Sequence, residues 1–180
     1  MSNNAADETV KPDSHQVLTF VLGNETYGVD ILRVQEIRGW SSVTKIPHAP
    51  PHVLGVLNLR GSIVPVVDLR MRFNLERAEY TAVTVIIVLS VQSESGRRNF
   101  GVVVDGVSDV VDVDSAAVKP APELGSAAAT AHISGLVSVA DHMVVLLDID
   151  RLIGGDMLSG SMDATLGAAA ASVPAGAVAA

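Results

Sequence analysis

The side chains best able to do chemistry here are five histidines, a run of acids and scattered serines, and their spacing argues against a reaction centre. His48 and His52 stand four apart, an interval that suits two metal ligands on one helix face, but Pro50 and Pro51 lie between them and forbid that helix. With no third ligand nearby, a solvated loop is the expectation. Asp105, Asp109, Asp112 and Asp114 invite comparison with a calcium loop, yet such a loop needs oxygens at positions 1, 3 and 5, a glycine at 6 and a glutamate at 12. Val107 occupies the third position. The acids instead read as the wet face of a strand, with Val111 and Val113 turned inward. Neither a G-x-x-x-x-G-K-[ST] phosphate loop nor a G-x-S-x-G elbow occurs. The absence of cysteine removes disulfides, thiolate nucleophiles and sulfur-based zinc sites. A serine triad can assemble from distant positions, so local pattern alone is a weak test of it. Together with the few candidate bases, these features point to a binding module with no catalytic residue, metal or cofactor.

The elements that carry these residues are short. Hydrophobic residues make up 48% of 180, but the longest uninterrupted apolar runs, Val85 to Leu89 among them, are far below the roughly 20 a membrane helix needs. The polar segment from Met1 to Ser14 lacks the basic-then-apolar layout of a secretory signal, which makes the cytoplasm the expected compartment. A net charge of −8 disfavours nucleic acid and anionic lipid, and 3% aromatic residues leave little for stacking platforms.

Valine-, isoleucine- and leucine-rich runs bounded by Gly, Pro, Asn and Asp predict strands at 18–22, 27–30, 36–40, 53–59, 62–68, 84–90, 99–104, 108–113, 133–139 and 142–148. Between Val29 and Ile37 the expectation is a strand, a bend and a strand. Asp68 and Asp148 are N-cap residue types, each opening a short helix. The chain also repeats itself. Tyr27-Gly28-Val29 with Val34, Glu36 and Ile37 is answered by Phe100-Gly101-Val102 with Val107, Asp109 and Val110. The run Gly55 to Leu69 matches Gly135 to Ile149 in residue type, Asp68 falling on Asp148, with two-residue turns at Arg60-Gly61 and Ala140-Asp141. Insertions at Ser93 to Arg98 and Glu123 to His132 read as loops. The expected architecture is all-β: two similar five-stranded SH3-like barrel subdomains about a pseudo-twofold, plus short helical segments. The expected layout is a flexible 1–16, barrels at 17–79 and 80–154 with some exchange of strand or helix, and a disordered Ala/Gly-rich 155–180.

Four blocks resemble the chemotaxis coupling protein family, CheW: Tyr27 to Gly39, Gly55 to Gly61, Ile63 to Arg70, and Val102 to Val110 followed by Pro120-Ala121-Pro122-Glu123. The likeness spans about Val17 to Ile153. It implies two five-stranded barrels and a non-catalytic adaptor that holds a chemotaxis histidine kinase, through its regulatory domain, against the cytoplasmic tip of methyl-accepting receptors. Rings shared with other couplers, and a cytoplasmic place beneath membrane-bound receptor arrays, follow from the same resemblance. A coupler for a non-flagellar chemosensory kinase system, serving surface motility or second-messenger control, is the alternative; a small-molecule or metal-binding β-barrel is another. Departures from the family pattern are the alanine-rich tail and the small-residue insertion from Gly125 to Ala131.

By that similarity, receptor contacts are expected at Val34, Glu36, Ile37, Arg60, Val104 and Val107, where aliphatic anchors and a charged rim would receive an amphipathic helix. The competing reading puts the valines and Ile37 in the core. Arg60 sits at a hairpin tip where its guanidinium can meet a carboxylate, and its repeat counterpart Ala140 cannot do this. A merely solvated turn arginine is the alternative there. Kinase contacts are expected at the barrel ends, around Val43, Ile46, Gly55 and Asn58.

Overall fold

Alternation of β-branched and small residues turns into ten strands among the described residues of this computed structural model, which are 13–76, 79–123, 125 and 130–157. They are β1 (Ser14–Leu22), β2 (Glu25–Asp30), β3 (Val34–Gly39), β4 (Val53–Leu59), β5 (Ser62–Asp68), β6 (Val85–Ser93), β7 (Gly96–Val104), β8 (Gly106–Asp114), β9 (Ile133–Val139) and β10 (His142–Leu147). Helix α1 (Leu69–Arg72) follows β5, and α2 (Ile149–Met157) follows β10. A 3-10 turn, Ile31–Arg33, forms the bend between β2 and β3. The capping aspartates act as their type predicts. Asp68 Oδ1 accepts from the Arg70 and Met71 amides at 2.9 and 3.5 Å, and Asp148 Oδ1 from the Arg151 amide at 3.1 Å.

The strands form two five-stranded sheets, in the orders β8-β1-β2-β10-β9 and β3-β6-β7-β5-β4. Each takes two strands from one half of the chain and three from the other. The repeat boundary near residue 80 therefore separates the halves in sequence without separating the sheets. One bridge joins the outer strands of each sheet. Thr44, beyond β3, exchanges both amide hydrogen bonds with Val56 of β4 (3.0 and 2.8 Å), and Lys119, beyond β8, does the same with Leu136 of β9 (2.8 Å each). Val56 and Leu136 are repeat partners, so both barrels close at the same place, leaving no long open edge.

That closure explains two glycines. A Cβ on Gly55, whose φ is +150°, would lie 2.1 Å from the Thr44 carbonyl oxygen; one on Gly135 would lie 2.4 Å from Val118 Cγ1 and 3.0 Å from the Lys119 oxygen. The hairpin tips also agree with their sequences. Arg60 and Gly61 have φ of 51° and 87°, Ala140 and Asp141 of 47° and 65°, the doubly left-handed turn that matches strand twist.

Three apolar clusters organise the packing. Val17, Val113, Val137, Val144 and Leu146 fill the first barrel, and Val64, Val66, Ile86, Val88 and Val103 fill the second. The largest cluster lies between the sheets and includes Leu18, Phe20, Ile87, Leu89, Phe100 and Val102, with Ile149, Leu152 and Ile153 of α2. β6 is consequently buried on both faces: Ile86 and Val88 point into their barrel while Ile87 and Leu89 point to the central layer. That burial accounts for the uninterrupted apolar run, since strands covered on both sides lose polar alternation.

Two expectations change. Ser14 to Gln16, read as part of the N-terminal flank, lie in β1 and pair with Asp114 to Asp112. Ser93 to Arg98, read as a loop, is a longer β6–β7 hairpin, in which Gln92 pairs with Arg97. The alanine-rich tail from Leu158 and most of the Gly125 to Ala131 insertion lie outside the described residues.

Candidate partner-binding surface

β3 enters the second sheet through a bulge: Val34 pairs with Leu89, but Glu36 with Val88, leaving Gln35 unmatched. The bulge aims neighbouring side chains differently. Val34 is half-buried against the central layer, Glu36 is half-buried, and Ile37 is 44% exposed. Across the surface, the β4–β5 tip brings Arg60, its side chain 89% exposed, to 3.7 Å from the Glu36 carboxylate. Two residues singled out 24 apart in sequence thus form one charged rim beside an exposed aliphatic side chain.

Val107 is half-buried against the central layer, as is its repeat partner Val34. Val104 corrects the expectation. It is 1% exposed and packs into the central layer, because at the end of β7 it shares a face with Val102 and Phe100; it offers no surface to a partner. Among the residues expected at the barrel end, Val43 packs onto the interior of the second barrel, Ile46 is half-buried, and Gly55 is buried where the closing segment passes. Asn58 is exposed, and its Oδ1 accepts from the Gly61 amide at 2.9 Å, holding the turn that presents Arg60.

Two ion pairs that sequence reading missed fix the connectors leading into Val34 and Val107. Arg33 binds Asp150 of α2 bidentately at 2.6 and 3.1 Å, and donates to the Ser90 carbonyl at 3.3 Å. Asp150 also accepts from the Gln92 amide at 2.8 Å. Asp105 accepts from Arg70 of α1 at 2.6 Å and from the Gly23 amide at 2.7 Å. Arg70 and Asp150 are repeat partners, as are the hairpin positions Gly23 and Gln92. The two latches tie equivalent elements with opposite polarity, although Arg33 falls on Gly106 and Asp105 on Leu32 in the repeat. No local pattern signals them, since their partners are 117 and 35 residues apart. Asp105 leaves the wet acidic face assigned to it, whereas Asp109, Asp112 and Asp114 are exposed and Val113 is buried, as expected. Leu32, on the bend expected between Val29 and Ile37, is 81% exposed within the 3-10 turn and was not singled out by its sequence.

His132 stacks on Phe73 at 5.1 Å, which stacks on Tyr27 at 5.5 Å. Burial, then the nearby Arg72 charge, lowers the His132 pKa, and burial, then Glu25, raises that of Tyr27. Among the described residues no group of three His, Cys, Asp or Glu side chains could hold a metal, and no helix is long and apolar enough to cross a membrane.

Residues 16–156 match the model of the CheW-like domain. The chain belongs to that family. It is 44% identical over 154 residues to the chemotaxis protein CheW of Klebsiella aerogenes, covering 86% of this chain and 89% of that one. To the chemotaxis protein CheW of Rhizobium meliloti it is 38% identical over 137 residues, covering 76% and 86%. The crystal structure of the scaffolding protein TtCheW from Thermoanaerobacter tengcongensis superposes with a TM-score of 0.71 at 31% identity, covering 83% of this chain and 96% of that one. The CheW-like assignment makes this a non-catalytic chemotaxis adaptor.

Proposed function

We propose that the chain joins the cytoplasmic tip of a methyl-accepting receptor to the regulatory domain of a chemotaxis histidine kinase, using separate surfaces for the two. The receptor tip lies along β3, with Ile37 and Val34 as aliphatic anchors, the Glu36–Arg60 pair as the charged rim, and Val107 on the matching edge of the central layer. The kinase domain meets the closing end of the second barrel around Val43, Ile46 and Asn58, where the Thr44–Val56 bridge holds the backbone. Through these contacts the protein takes its place beneath membrane-bound receptor arrays.

The observation that carries the receptor assignment is the Glu36–Arg60 pair beside exposed Ile37. A rim pair at 3.7 Å with a fully wet arginine adds little to folding, and an exposed isoleucine adds less, so the arrangement is better explained by what it presents. The test is binding of the purified protein to a receptor-tip fragment and to the isolated kinase regulatory domain, each alone and then together. A ternary complex is expected. Competition between the two partners for one site would refute the separate-surface reading.

A further inference from the structure

At one end of the second barrel, Gln35, Ser62, Ile63, Ser90, Arg97 and Asn99 border an open pocket of about 720 Å³. Ser90 pairs with Asn99 and Gln92 with Arg97, so the side chains of Ser90, Asn99 and Arg97 share one face of the hairpin. That face continues the one from which Ile86 and Val88 fill the barrel. Ser90 is 4% exposed, and its hydroxyl has no hydrogen-bond partner among the described residues. In the first barrel the equivalent strand position, which pairs with Thr26, is Val21. The second barrel thus places an unpaired hydroxyl where its repeat uses an aliphatic group. A buried hydroxyl left unpaired is costly, and a site of this kind is one where a partner atom belongs.

None of the described residues lining this pocket is acidic, although the chain carries a net charge of −8. Arg97 is exposed on the hydroxyl's face. Its neighbour Arg98 borders the pocket from the opposite face of the strand and is already engaged. One available guanidinium beside neutral donors suits one negative charge and not the two of a phosphate. Ile63, Val64 and Pro65 supply an apolar wall for the methylenes of a glutamate. The pocket also adjoins the surface described above, since Gln35 lies between Val34 and Glu36, and Ser62 and Ile63 follow the Arg60 turn.

We propose that the mouth of the second barrel receives one carboxylate side chain of the receptor tip, held by the Arg97 guanidinium and the Ser90 hydroxyl. This rests on the receptor assignment of β3 and supplies its acidic anchor. The test measures affinity of the full chain for a receptor-tip fragment and for the kinase regulatory domain, with melting temperature recorded alongside. Arg97→Glu is expected to weaken fragment binding tenfold or more, leaving kinase binding and melting temperature unchanged, and one Glu→Lys or Asp→Lys replacement in the fragment should restore it. Ser90→Ala should weaken fragment binding severalfold while raising the melting temperature, a combination a purely structural serine would not produce. Fragment binding by Arg97→Glu within twofold of the unmodified chain, or equal losses for both partners, overturns the carboxylate site. Failure of the unmodified chain to bind the fragment would instead remove the receptor assignment on which the site rests.

Discussion

Breaking the Arg33–Asp150 latch tests whether long-range ion pairs, and not hairpin contacts alone, hold the connectors in place. The Asp150 carboxylate takes part in three charge-assisted hydrogen bonds, two from Arg33 and one from the Gln92 amide. The two side chains are 35% and 31% exposed, between a surface pair and a buried one. Hydrogen bonds to charged groups contribute about 1.5–3 kcal/mol each when buried, and exposed ion pairs about 0.2–1 kcal/mol. An intermediate weighting gives a loss of about 3 kcal/mol for Asp150→Ala, which takes the carboxylate from the Gln92 amide and leaves the guanidinium only its bond to the Ser90 carbonyl. Arg33→Met should lose about 2 kcal/mol, since the Gln92 contact survives. The coupling energy from the double variant is expected near 1–2 kcal/mol. For a chain of this size, Asp150→Ala should melt about 6–12 °C lower. Urea unfolding followed by circular dichroism, with unchanged slopes, supplies the cycle. The exchanged latch makes a sharper forecast. Because Asp105 and Arg70 tie equivalent elements with opposite polarity, Arg33→Asp combined with Asp150→Arg should be more stable than either single change. A coupling below about 0.5 kcal/mol would refute the latch as a stabilising joint.

Gly55→Ala drives a Cβ into backbone at the closing bridge and should cost about 3 kcal/mol, whereas Gly135→Ala meets mainly a movable valine methyl and should cost about 1 kcal/mol, as read by urea unfolding. Equal losses would mean the two closures are not packed as described. At the β9–β10 tip, Ala140→Asn with Asp141→Gly should gain about 1 kcal/mol by suiting two left-handed positions, and no gain in melting temperature would count against that turn. His132 has its pKa lowered on folding, so the unfolded chain binds the proton first as pH falls. Its neutral form costs no stability above the ordinary value near 6.5, and stability should drop as pH passes below that value toward the lowered one. His132→Phe keeps the stack on Phe73 and should flatten this part of a pH–stability curve. Arg60→Glu should abolish receptor-dependent kinase activation with little change in melting temperature, because the side chain is almost wholly exposed. Full activation by that variant would remove Arg60 from the receptor surface.

Much of the local structure was legible in advance. The hairpins around Arg60-Gly61 and Ala140-Asp141, the helix-capping roles of Asp68 and Asp148, and the inward Val113 beside outward Asp112 and Asp114 all follow from neighbours in the chain. Less was legible of the surface. Val104 and Ile37 both read as aliphatic strand residues, yet one lies in the central layer and the other in solvent. A strand's alternation shows that it has two faces, but not which is covered when both can be.

Residue order by itself determined that this protein is a duplicated set of short strands with tight turns, without cysteine, a phosphate-loop motif or a nucleophile-elbow motif, and similar to a family of couplers. These features depend on steric preferences and on repetition, which act over a few residues or can be seen by comparison along the chain. Only the tertiary structure decided that each barrel borrows strands from the other half, that oppositely arranged Arg33–Asp150 and Arg70–Asp105 joints lock the connectors, and that Arg60 meets Glu36 across the surface. Such pairings join distant segments, and their free energy exists only once the sheets have packed, so no local pattern in the chain can announce them.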